Sequence, residues 1–249
     1  MLAWFEGPLA FAPAGPARRL ERGTVRVGGD LTWVPTPPSS ITRTDVCYTP
    51  KSEHTGLAPV FPRARVILGL GGGLSLEAMY LPPVTIAEAT PNLGSVALGW
   101  VTPLGGASRH LDLTLRAHAT VGQVQGPITC PKSAIQQTNP SGVCWSGRAS
   151  EDTYRPNSFG AELGVASSAG ALRWYGGLGV LSLMPRFQVG FTFANGVVDN
   201  TKVHVDLTRV AAFGGVGFAA TPALELTAQL YSVPDDATTV RAGLIWRLR

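Results

Sequence analysis

Residues 223–249 read ALELTAQLYSVPDDATTVRAGLIWRLR, and the reading of this stretch decides the fold. In its first arm Leu224, Leu226, Ala228 and Leu230 alternate with Glu225, Thr227, Gln229 and Tyr231. In its second arm Val240, Ala242, Leu244, Trp246 and Leu248 alternate with Arg241, Gly243, Ile245 and Arg247. A repeat of two puts successive side chains on opposite faces of a strand, here one greasy and one more polar. Pro234, Asp235 and Asp236 stop the first arm and turn the chain, so the stretch is a hairpin. A soluble sandwich also alternates, so the surroundings of the hairpin have to be read from the rest of the chain.

Working outward, the same pattern recurs over most of the 249 residues. Thr24 to Val34, Arg63 to Leu70, Leu74 to Leu81, Leu93 to Val101, His110 to Val121, Ser158 to Ala166 and Ala171 to Leu183 each read as strands. Between Leu111 and Val121 the alternation is cleanest: Leu111, Leu113, Leu115, Ala117, Ala119 and Val121 oppose Asp112, Thr114, Arg116, His118 and Thr120. Val203 to Phe218 starts with Val203, Val205 and Leu207 on the apolar face and continues with Ala212, Gly214, Val216 and Phe218, a change of parity that a β-bulge would produce. If Phe187 to Ala194 belongs to an outer loop the strands number about ten, which is favoured because no turn residues split Val203 to Phe218; if it is a membrane strand and Val203 to Phe218 is two strands, the count is about twelve. The connections alternate short and long: Gly71–Gly73, Pro103–Ser108, Ser167–Gly170 and Ala220–Pro222 against Pro35–Pro62, Gly122–Asn157 and Met184–Asn200. GLGGG at 69–73 is read as a tight turn and not a phosphate loop, because neither a following Lys-Ser/Thr nor a helical pattern accompanies it.

Composition sets the environment. Hydrophobic residues make up 45% and charged residues 14%, with 30 Gly and 20 Pro. That argues against a helical protein, and the sequence holds no run of about 18 apolar residues that would make a membrane helix. A greasy chain without such a helix suits a closed membrane barrel, in which only alternate residues face lipid. The net charge of +4 comes from Arg residues spread through the strands, which excludes a nucleic-acid patch. Residues 1–22, Pro- and Ala-rich and ending in ARRLER, read as a periplasmic lead-in or a short plug, and 23–249 as the barrel. Met1 is not followed by a signal-peptide pattern, so the chain is read as a mature form.

Three cysteines fall in connections: Cys47 in one, Cys130 and Cys144 in another. A Cys130–Cys144 disulfide would staple the longer loop in an oxidising compartment; a Cys47 pairing and three free thiols are the alternatives. Close ligand spacing is missing, so neither a metal site nor a cofactor is expected.

With short turns assigned to the periplasm, Trp100, Trp174, Phe218 and Trp246 fall at the periplasmic strand ends and Trp33, Tyr80 and Phe159 at the outer ends. Two aromatic belts are what bilayer interfaces select, since these rings join an apolar body to a polarisable or polar edge. On this pattern the chain from Thr24 to Arg249 resembles the bacterial outer-membrane β-barrel proteins. The resemblance implies an all-β, transmembrane, antiparallel up-and-down barrel with both termini in the periplasm. The class usually ends in an aromatic residue; here Arg247, Leu248 and Arg249 follow Trp246.

The polar faces carry Arg26, Arg63, Arg65, Arg116, Arg173, Arg241 and Arg247 against Asp30, Glu77, Asp112, Glu162, Asp206 and Glu225. Inside a narrow barrel these form either a network of paired charges that fills the interior or a polar channel whose extra Arg favours anions. His204 and Asp206 share a face near an outer strand end and suggest a base beside a carboxylate. That gives a faint likeness to the omptin proteases, but the facing pair of aspartates those enzymes use is missing, no Ser stands beside His204 as in lipid A-modifying barrels, and His110 with Asp112 lies at the other end. The expectation is therefore a non-enzymatic structural or porin-like barrel in the outer membrane, surrounded by lipid and accessory to a larger envelope complex. A rim-active hydrolase and a secreted soluble β-sandwich are the alternatives.

Overall fold

The computed structural model describes residues 2–35, 60–86, 88–104, 111–142 and 144–248. Ten long strands form the wall: β1 (Val25–Trp33), β2 (Val60–Gly71), β3 (Leu74–Leu81), β4 (Thr90–Leu104), β5 (Leu111–Gly126), β6 (Asp152–Ala169), β7 (Leu172–Gln188), β8 (Leu207–Ala219), β9 (Leu224–Val233) and β10 (Ala237–Arg247). Each pairs antiparallel with its sequence neighbours, and β1 pairs with β10, so the sheet closes on itself. This is an up-and-down barrel of ten strands and excludes a sandwich of two stacked sheets. Closure removes the free edges that an open sheet would expose.

The alternation places the greasy residues outside. Leu31, Val66, Leu76, Val96, Leu98, Leu115, Leu163, Leu178, Val180, Leu230, Val240 and Leu244 are exposed, while Arg26, Arg63, Arg65, Glu77, Arg116, Glu162, Glu225 and Arg241 are buried. In a water-soluble protein that distribution would be inverted. Gly71, Gly72 and Gly73 all hold positive φ in the turn between β2 and β3, and a Cβ on Gly73 would sit 2.2 Å from the Val101 carbonyl oxygen, so the turn admits only glycine there.

The wall is uneven. β3 has 8 residues, whereas β6 has 18 and β7 has 17. A strand needs about 9–11 residues to cross a bilayer, so β5 to β7 rise well past the wall opposite them, on the side of the long connections. The loop expected over Gly122–Asn157 is accordingly shorter, because β5 runs on to Gly126 and β6 begins at Asp152. On this tall side two loops, residues 127–142 with 144–151 and residues 189–201, pack together as a cap. A short ladder pairs Phe191–Thr192 with Val198–Asp199, so 187–194 is the end of β7 and a loop hairpin and not a further barrel strand.

Two expectations are corrected. The parity change in 203–218 is not a bulge. Lys202–His204 and then Leu207 to Phe218 pair with β7 in one unbroken register, from Lys202↔Gln188 to Phe218↔Leu172. Apolar residues occupy the inward parity here because Leu207 packs on a hydrophobic cluster inside the barrel. The second correction concerns the ends of the chain. Leu248 N–H donates to the Val25 carbonyl at the short-turn end, but the Leu2 carbonyl accepts from the Tyr154 hydroxyl at 3.0 Å, at the long-connection end. Residues 2–22 therefore run the length of the lumen, and the chain ends lie at opposite mouths.

Candidate functional site

The site is the interior of the barrel and the segment within it. At the long-connection end, α1 (Leu2–Leu9) is buried almost all round, as a helix surrounded by protein should be. Trp4, Phe5 and Leu9 pack with Val34, Leu93, Val124, Tyr154 and Ala237. Ala3, Ala10 and Ala12 pack with Leu181, Leu183, Ala211, Tyr231 and Val233. So the inward face of the wall turns apolar where the lumen holds a greasy helix.

At mid-height the contacts become polar. Ala10, Phe11 and Ala12 are all 0% exposed. Arg63 donates to the Ala10 carbonyl (3.2 Å), Arg65 to Ala12 (3.3 Å), and Arg116 to Phe11 (2.5 Å) and Ala12 (3.5 Å). Arg241 donates to the carbonyls of Pro8 (3.3 Å) and Ala10 (3.2 Å), and Gln229 to that of Pro13 (3.4 Å). The Phe11 ring lies between two guanidinium groups, 5.2 Å from Arg65 and 4.9 Å from Arg116. Arg241 lies over the Tyr231 ring at 4.7 Å. Such stacking adds about 0.5–2 kcal/mol per cation, more as water is excluded.

The same arginines are joined by carboxylates into one chain around the wall. Arg63 pairs with Asp30 at 2.8 Å, Asp30 also with Arg65, Arg65 with Glu77, Glu77 with Arg116 at 3.3 Å, and Arg116 with Glu162 at 2.9 Å. Glu162 further accepts from the Tyr231 hydroxyl at 3.4 Å and stands 3.6 Å from His118 Nε2. Burying each of these charges alone would cost several kcal/mol, and the alternating chain offsets that cost. Some of the guanidinium N–H groups left over by the carboxylates go to the carbonyls of residues 8–12, which supply acceptors that arginine itself lacks, while Arg65 Nε, Arg116 Nε and Arg241 Nη1 stay buried without a hydrogen-bond partner among the described residues.

Towards the short-turn end a cavity of about 90 Å³ lies between Pro13–Leu20 and the wall, lined by Ile67, Val101, Val165 and Phe213. At the mouth Glu225 pairs with Arg18 (3.0 Å) and Arg26 (2.7 Å). Arg173 and Asp112 approach to 3.9 Å, and Arg247 lines the mouth beside Arg18 and Arg26. Gly69 makes room for the departing segment: a Cβ there would meet the Glu21 carbonyl oxygen at 2.3 Å.

Of the polar residues singled out in the sequence, Arg26, Asp30, Arg63, Arg65, Glu77, Arg116, Glu162, Glu225 and Arg241 are gathered in this interior, with Asp112, Arg173 and Arg247 at its mouth. Asp206 is not among them. It stands outside and pairs with Arg186 at 2.5 Å, and His204 is exposed on the same parity. The unbroken register with β7 gives both the outer parity, so neither faces the lumen as expected, and the Asp206 carboxylate is taken up by Arg186. His110 and Cys47 lie outside the described residues. The seven belt aromatics, Trp33, Tyr80, Trp100, Phe159, Trp174, Phe218 and Trp246, all point outward and are 38% to 56% exposed.

Cys130 and Cys144 form a disulfide that packs with Val189 and Phe191 in the cap. Asp152, fully buried, joins the two cap loops by accepting from Thr129 N–H, Gly190 N–H (2.9 Å) and the Ser150 hydroxyl (2.8 Å). Sequence reasoning missed Asp152, Phe11 and Tyr231. For Phe11 a signal existed: it is a lone aromatic between GPLA and APAGP in a stretch otherwise poor in bulky groups.

Neither a protein-family model nor a curated protein matches the sequence. Among solved structures the chain is similar to the outer membrane protease OmpT from Escherichia coli, at 10% identity over 91% of this chain and 94% of that chain, with a TM-score of 0.45. It is similar to the attachment invasion locus protein Ail of Yersinia pestis at 11% identity, 91% and 98% coverage and a TM-score of 0.31. The N-terminal β-barrel domain of Pseudomonas aeruginosa OprF matches at 8% identity, 92% and 100% coverage and a TM-score of 0.32.

Proposed function

We propose that this chain is an integral protein of a bacterial outer membrane, with lipid around its wall and a lumen held shut by its own residues 2–18, and that its role is structural and non-enzymatic. The observation that carries the reading is the capture of the carbonyls of residues 8–13 by inward Arg and Gln side chains. The outward leucines and valines and the two rows of aromatics support the membrane setting. On this reading the short turns face the periplasm and the disulfide-stapled cap faces out, where it meets other envelope proteins. The paired lumen charges act as packing, and the excess arginine holds the segment instead of conducting anions.

The test has two parts. The protein should stay in the outer-membrane fraction and migrate heat-modifiably on a gel; full solubility without detergent would end the membrane reading. In planar bilayers the intact chain should give no single-channel steps, and regular porin-like steps would end the closed-lumen reading.

A further inference from the structure

The contacts that hold residues 8–13 share one chemistry. Every hydrogen bond from the wall to this stretch described above ends on a backbone carbonyl, none on a side chain of the stretch. The segment for its part has few donors to satisfy. Pro8 and Pro13 carry no N–H, and the N–H groups of Ala10 and Ala12 are used inside the segment, on the Gly7 and Ala10 carbonyls. A wall that turns donors on the stretch meets a backbone that offers almost only acceptors. The one aromatic side chain, Phe11, is read by two guanidinium faces, and a third arginine, Arg241, turns an amino group on two of the carbonyls.

We propose that the lumen is a peptide-binding site, selective for a Pro- and Ala-rich stretch with outward carbonyls and a single aromatic ring, and that residues 8–13 are its resident occupant. This rests on the reading of the lumen as a closed compartment. Tethered to β1 through residues 14–24, the occupant competes at an effective concentration in the millimolar range. A peptide of the same chemistry from elsewhere therefore enters only once the resident has been cut or withdrawn.

Arg19 and Arg22 are exposed at the short-turn mouth, so trypsin can sever the occupant from a folded, bilayer-embedded barrel. Nicked barrels are washed and titrated with a fluorescent peptide of the sequence of residues 2–18. Saturable uptake is expected, weakened about tenfold by Phe11→Ala in the peptide, the loss two stacked cations imply. It should weaken again in barrels carrying Arg241→Gln. If the severed segment survives washing, that is non-covalent binding in itself, and a nicked Phe11→Ala chain should release it sooner. Absence of saturable uptake by emptied barrels, or uptake and release indifferent to Phe11→Ala, would overturn the inference. Bilayer recordings separate the two readings. Emptied barrels that conduct but ignore the peptide remove the peptide site and leave the closure; emptied barrels that bind peptide but never conduct do the reverse.

Discussion

Glu6 is the side chain most at odds with its surroundings. It is fully buried in α1 at the level of the turn between β9 and β10. Burial pushes its carboxyl up to about 8; the Met184 backbone N–H and the Arg186 guanidinium of β7 oppose this, Asp236 from the turn adds to it, and Tyr154 from β6 shares the field. A carboxyl whose folded value is raised above its ordinary 4.5 binds its proton more tightly when docked. Its contribution is therefore full in acid and is lost as pH rises from the ordinary value towards about 8. The amide protection of residues 2–12 should fall between pH 6 and pH 9, and Glu6→Gln should flatten that dependence; hydrogen exchange measured on both chains at the two pH values checks it. At this scale the sequence was informative about the wall and silent about its contents. Arg63, Arg65 and Arg116 could be placed inside by alternation alone. Nothing in the alternation indicated that their spare donors would find the carbonyls of Pro8 to Ala12, because carbonyls are present in every residue and leave no mark in composition.

Among the elements, the cap on β5 to β7 is held by two separate devices. The disulfide links Cys130 to Cys144 across a sequence separation of 14, which is worth about 3 kcal/mol on chain-entropy grounds, and Asp152 gathers donors from both loops. Reduction should therefore loosen the 130–144 loop and leave the barrel standing. Proteolysis near Lys132 should rise after a thiol reductant while the heat-modifiable shift of the barrel band stays unchanged. Asp152→Ala strands three donors and should cost about 3 kcal/mol, read as joint exposure of both loops to protease with the disulfide intact. The strands themselves were legible where one side meets lipid and the other meets charge, as in Leu111 to Val121. Their lengths were not: Asp152 to Asn157 extend β6 past the belt residue Phe159, and the outward residues there, Thr153, Arg155 and Asn157, need no greasy character, so the alternation fades. Parity misled over 203–208 for the opposite reason, since Leu207 is apolar because it packs on the cluster inside the barrel and not because it faces lipid.

For the whole molecule, the division of its six tryptophans offers a direct check on which face meets lipid. Trp33, Trp100, Trp174 and Trp246 point outward, whereas Trp4 is buried in the lumen. In single-tryptophan chains brominated lipid should quench the Trp246 emission strongly and leave that of Trp4 nearly untouched; equal quenching would contradict the arrangement. The cylinder also has a single seam, β1 against β10, formed by the first and last strands. Because residues 2–22 pass from one mouth to the other before β1 begins, the order of assembly is constrained. Either the leading residues are wrapped while the seam is still unzipped, or they reptate through a finished cylinder against a cordon of arginines. The first route is the easier, and it makes the seam the last bond of folding: the cylinder would close around a thread already in place.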